Sequence, residues 1–83
     1  MSASVSITRL DLDASGLRQA ASRSHDANAA RRMLALALIL EGRTRTEAAM
    51  ICGMERQTLR DWVHRYNAEG LAGLSDRPLP GAP

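Results

Sequence analysis

Cysteine is almost missing from this chain. Cys52 stands alone among 83 residues, which excludes an internal disulfide and any metal site built from several cysteines. That usage fits a reducing cytoplasm. Long apolar runs are also missing. The longest, MLALALIL from Met33 to Leu40, has eight residues, against the roughly 20 needed to cross a membrane. The amino-terminal MSASVSITR lacks the apolar stretch of a secretory signal. Lysine is absent, so all 11 basic residues are arginine. The net charge of +2 is too small to point to nucleic acid by itself. Histidines are few: His25 and His64 lie too far apart in sequence to imply a metal pair. The nine acids are scattered over caps and helix surfaces. No constellation of catalytic residues, metal ligands or cofactor contacts emerges, and none is expected, nor is a small-molecule substrate.

What is present is a succession of helix patterns in one small domain. Residues 1–10, Ser-rich with Val5 and Ile7 alternating, read as a flexible tail. A first helix is predicted from about Asp13 to Arg23, with Asp11 or Asp13 as cap and Leu10, Ala14, Leu17 and Ala21 on one face. Gly16 weakens it. Ser24 or Asp26 caps a second helix over about 27–41. Its run MLALALIL is rich in helix formers, which argues against a strand. Ala30, Met33, Leu34, Ala37 and Leu40 form its core stripe, widened by Leu36 and Ile39, and Gly42 closes it. Thr44 to Glu47, TRTE, is a capping box that opens a third helix ending at Gly53. A fourth runs from about Glu55 to Glu69, with Met54 and Leu59 as a staple at its start and Gly70 as its stop. The final 71–83 hold three prolines and read as a turn followed by an extended linker. The expectation is an all-α bundle of three to four helices spanning 11–70, homeodomain-like, with a helix-turn-helix over about 44–69.

The stretch ICGMERQTLRDW, Ile51 to Trp62, decides what such a bundle is for. Two short helices joined through a glycine form a helix-turn-helix. Their crossing needs a small residue, supplied by Ala49 four positions before Gly53, and the turn needs the positive φ that glycine adopts at no steric cost. Leu59, Trp62, Val63 and Tyr66 then lock the second helix down at i, i+3, i+4, i+7, so Trp62 is expected to be substantially buried. The opposite face carries Gln57, Arg60, Asp61, His64 and Ala68, flanked by Arg56 and Arg65. Arginine reads guanine O6 and N7, and glutamine reads adenine N6 and N7, each through two hydrogen bonds. Thr44, Arg45 and the start of the third helix suit phosphate. From Arg43 to Arg65, five arginines stand against three acids. Asp61 could accept from a cytosine amino group, but Arg65 four residues on makes an intrahelical ion pair the simpler expectation. Cys52 reads as a small hydrophobe, Arg31 and Arg32 as solvated flanks, and Met50 with Ile51 as an apolar patch suited to a homodimer if exposed.

The run EGRTRTEAAMICGMERQTLRDWVHRYNAEGLAGLSDRP resembles the N-terminal helix-turn-helix of bacterial insertion-sequence transposases in the mariner-like superfamily. Those domains end in a RGLAGLxDRPRSGRP-like run, and this chain has EGLAGLSDRPLPGAP. The likeness covers about Ala29 to Pro83. It implies that Ala49, Gly53, Leu59 and Trp62 are scaffold and that the far face of the fourth helix meets double-stranded DNA at transposon ends, in a bacterial cytoplasm and nucleoid. Glu55 stands where a serine cap is usual, Met50 and Ile51 where polar residues are frequent, and PLPGAP lacks the usual basic residues. Such transposases also carry an RNase-H-like domain with three metal-binding carboxylates, which this chain is too short to contain. The expectation is therefore a DNA-binding part without catalysis. A stand-alone transcription regulator is the alternative, and a helical protein-interaction module is the reading from another class.

Overall fold

The computed structural model describes residues 6–75. Four α-helices follow one another: α1 Ala14–Arg23, α2 Ala27–Leu40, α3 Arg45–Ile51 and α4 Arg56–Glu69, with a short 3-10 helix over Gly70–Leu74. No strand occurs among the described residues, so the fold is the expected all-helical one. MLALALIL lies wholly inside α2.

Each start has a local cause. The Asp13 carboxylate accepts from the Gly16 amide at 2.8 Å, and that of Asp26 accepts from Asn28 at 2.9 Å and Ala29 at 3.2 Å. At α3 the capping box closes both ways: the Glu47 amide donates to Thr44 Oγ1 at 3.0 Å, and the Thr44 amide to Glu47 Oε1 at 3.0 Å. Helix α4 differs, since its N-cap Glu55 makes no side-chain cap bond.

The core is aliphatic apart from Tyr66, and the chain contains no phenylalanine. Leu17 and Ala21 of α1, five residues of α2, Ala48 and Ala49 of α3, Leu59, Val63 and Tyr66 of α4, and Leu74 are buried. Helix α2 is the most buried element, as expected, but its stripe is rotated. Ala29, Met33, Ala35, Leu36 and Ala37 are buried, whereas Ala30, Leu34 and Leu40 are only half-buried. The reason is that α2 is covered by α1 on one side and by α3 and α4 on another, which leaves Leu34 and Leu38 beside an open groove.

Three expectations need correction. Leu10 does not join the buried face of α1; it is 75% exposed, because the chain is not helical before Ala14. Trp62 is half-buried rather than substantially buried. It sits at the edge of the stripe formed by Leu59, Val63 and Tyr66, with the Arg32 guanidinium 3.8 Å and the Arg65 guanidinium 5.1 Å from its ring centroid. The segment after α4 is not a simple turn. Its 3-10 helix packs on α4 and buries Leu74 completely. The remainder of the expected linker, 76–83, and residues 1–5 of the expected tail lie outside the described residues.

The described part of that tail is tied down. Asn67 Oδ1 accepts the Thr8 amide at 2.8 Å, and Asn67 Nδ2 donates to the Ser6 carbonyl at 2.9 Å. Arg9 donates through Nε to the Tyr66 carbonyl at 3.0 Å and through Nη2 to the Ala68 carbonyl at 3.3 Å. A cation thus satisfies the exposed carbonyls at the negative end of α4.

Candidate nucleic-acid interface

The turn between α3 and α4 is built by hydrogen bonds that a glycine permits. Gly53 has φ +69°. Its amide donates to the Met50 carbonyl at 3.3 Å, and the Met54 amide reaches back to Ala49 at 2.9 Å. This is the paired 5→2 and 6→1 pattern that ends a helix through a left-handed residue. Ala49, 2% exposed, lies inside the core with Ala48, so the helices cross where the side chains are smallest. Gly53 therefore both ends one helix and aims the next.

That geometry presents α4 with a clear division. Leu59, Val63 and Tyr66 face the core, while Arg56, Gln57, Thr58, Arg60, Asp61 and His64 are exposed. Arg65 is half-buried because its guanidinium lies toward Trp62. The expected Asp61–Arg65 ion pair does not form; among the described residues the ion pairs are Arg9–Asp11 and Arg18–Glu41, both at 2.7 Å. At the start of α3, Thr44 and Arg43 are exposed and share a cleft with Arg45. The Thr44 hydroxyl oxygen is engaged in the capping box, which leaves its hydrogen to donate outward. Arg45 is less open than the sequence implies: it is half-buried, and its Nε and Nη1 are shut from solvent without a hydrogen-bond partner.

Two electrostatic details belong to this region. The bond from the Thr44 amide holds the Glu47 carboxyl below its usual value, so the cap stays charged to lower pH than a free glutamate would. Burial pushes the Cys52 thiol up, consistent with a hydrophobe rather than a reactive nucleophile.

Arg32 is the residue that sequence reasoning missed. Expected as a solvated flank of α2, it instead donates from Nη1 to the Leu74 carbonyl at 2.9 Å while covering Trp62. It joins α2, α4 and the 3-10 helix. Its partners are 30 and 42 positions away, and no local periodicity encodes contacts at such separations.

The chain belongs to the winged helix-turn helix family, whose model matches residues 32–83. This is a DNA-binding domain found in transposases among other proteins. Among the described residues the position after α4 holds the 3-10 helix and no strand. An uncharacterized protein of Sinorhizobium fredii, y4pG/y4sC, is 48% identical over 75 residues, which is 90% of this chain and 39% of that protein. The chain thus spans well under half the length of this relative. No solved structure matches the chain.

Proposed function

We propose that this chain reads double-stranded DNA sequence-specifically as the end-recognition module of an insertion-sequence transposase, with α4 in the major groove. The observation that carries the reading is the outward face of α4: Gln57, Arg60, Asp61 and His64 are exposed together on a helix whose other face is locked into the core. Gln57 and Arg60 discriminate bases, and Arg56, Arg65 and the Thr44–Arg45 end of α3 contact phosphate. Arg45 leaves its partnerless position to do so, since a phosphate oxygen supplies the acceptor its buried nitrogens lack. The transposase assignment rests on the GLAGLSDRP run and on the occurrence of the family in transposases. Catalysis belongs outside this chain in this reading. Asp11 and Glu41 are engaged by arginines, while Asp13, Asp26 and Glu47 are engaged as caps.

A protein-interaction reading has one observation in its favour. A groove of about 570 Å³ between α1, α2 and the end of α3 is lined by Ala27, Ala30, Leu34, Leu38 and Ile51, among others. Ile51, which lines it, and the adjacent Met50 are 60% and 75% exposed, a patch that a second copy could cover. Amide chemical-shift mapping of the chain with a mixed-sequence duplex separates the two readings. Perturbations on α4 and the first turn of α3 support the DNA reading. A duplex that leaves α4 unperturbed rules it out.

A further inference from the structure

We propose that Asp61 is a specificity-determining residue that accepts a hydrogen bond from the exocyclic amino group of cytosine. This deepens the DNA-binding reading and rests on it. At about 100° per residue, Asp61 lies about 160° from the centre of the buried Leu59–Val63–Tyr66 stripe. Gln57, one turn earlier, shares that outermost line, whereas Arg60 lies closer to the side. A carboxylate therefore stands near the middle of the surface that would enter the groove.

The second observation is that the Asp61 carboxylate has no protein partner among the described residues. Its side chain is exposed and makes no hydrogen bond or ion pair among the described residues. Arg65, four residues on, has the spacing to neutralise it but is turned toward the Trp62 ring. Thr58, Asp61, Trp62 and Arg65 line one shallow cleft, and within it the arginine is matched to the ring rather than to the acid. Arg32, also over that ring, donates to Leu74.

A bare carboxylate on a surface that meets a polyanion is a handicap unless a donor awaits it. In the major groove, cytosine presents its N4 amino group as a donor, whereas guanine presents O6 and N7 and thymine O4 as acceptors. Opposite cytosine, Asp61 gains a charge-assisted bond. Opposite guanine or thymine it is desolvated against acceptors of like polarity, and binding is rejected. The same carboxylate weakens non-specific binding by opposing the phosphate field. Asp61 thus acts twice, through attraction at an exocyclic amino donor, favouring cytosine N4 over adenine N6 because the adenine donor lies beside the N7 acceptor, and through repulsion at guanine and thymine.

The test is selection of preferred sites from a random duplex pool by the wild-type chain, Asp61→Asn and Asp61→Ala. The wild type should enrich cytosine at one position by about tenfold. Asp61→Asn should move that preference to adenine, whose N6 and N7 match an amide. Asp61→Ala should abolish it, leave the other positions unchanged, and raise affinity for a scrambled duplex severalfold. Both variants should melt close to the wild type, because the exposed Asp61 side chain makes no hydrogen bond or ion pair among the described residues. If both variants recover the wild-type sites, the assignment fails while the DNA reading stands. If the wild type enriches no sequence at all, both fall together.

Discussion

Gly73 leaves no space for a side chain. A Cβ there would lie 2.7 Å from the Arg65 carbonyl oxygen, a backbone atom that cannot swing aside, so alanine must push the 3-10 helix off α4. Gly73→Ala should cost about 1 to 3 kcal/mol, and a urea midpoint equal to that of the wild type would contradict this close approach. Trp62 shows a different kind of residue-scale effect. A fully buried tryptophan loses about 3 to 5 kcal/mol on truncation to alanine. Trp62 is half-exposed and gains instead from two guanidinium contacts, each of about 0.5 to 1 kcal/mol near solvent. We expect Trp62→Ala to cost about 2 kcal/mol. In a double-mutant cycle, Arg32→Ala and Trp62→Ala should be non-additive; strict additivity would mean that the stacking contributes nothing.

At the scale of the element, caps decide where helices begin, and here the sequence was most legible. The capping box TRTE and the Asp13 and Asp26 caps are encoded within three residues of the positions they serve, so the predicted starts of α1 to α3 fall within about a residue of the observed ones. The acid side of that encoding has a pH signature. The Glu47 carboxyl is held low by the Thr44 amide, and Glu41 is held low by Arg18. A group whose pKa is lower in the folded state contributes stability above its unfolded value and loses it as pH falls through the folded value. The gap in melting temperature between wild type and Glu47→Ala should therefore be full at pH 7 and narrow progressively below about pH 4.3. A gap independent of pH would contradict the charged cap. Helix α4 offers the converse case. Glu55 makes no cap bond, so Glu55→Ser should stabilise the domain by about 1 kcal/mol, read as a rise in the denaturation midpoint. What sequence reasoning could not reach was non-local. The burial of Leu74, the Arg32 bridge and the Arg9 contacts to α4 all pair residues distant in the chain. The rotation of the α2 stripe likewise follows from which helices cover it, not from its own spacing.

For the molecule as a whole, helical order, a glycine turn and one polar helix face combine into a DNA-binding domain with a second, apolar side. The candidate site was legible as a face: the hydrophobic period of α4 alone places Gln57, Arg60, Asp61 and His64 outward. It was not legible as a set of partners. The withdrawal of Arg65 to Trp62 and of Arg45 into the surface depends on neighbours from other elements. Fluorescence anisotropy of the chain on a labelled duplex, repeated over a series of salt concentrations, tests the central claim most directly. The account predicts weak binding, with dissociation constants around micromolar or weaker on arbitrary sequence. The logarithm of affinity should fall with the logarithm of salt at a slope of about −3, one unit for each of Arg45, Arg56 and Arg65, and Arg56→Ala should reduce its magnitude by about one. Affinity that does not respond to salt, or a slope that Arg56→Ala and Arg65→Ala both leave unchanged, would show that α4 does not lie against the phosphate backbone and would contradict the account.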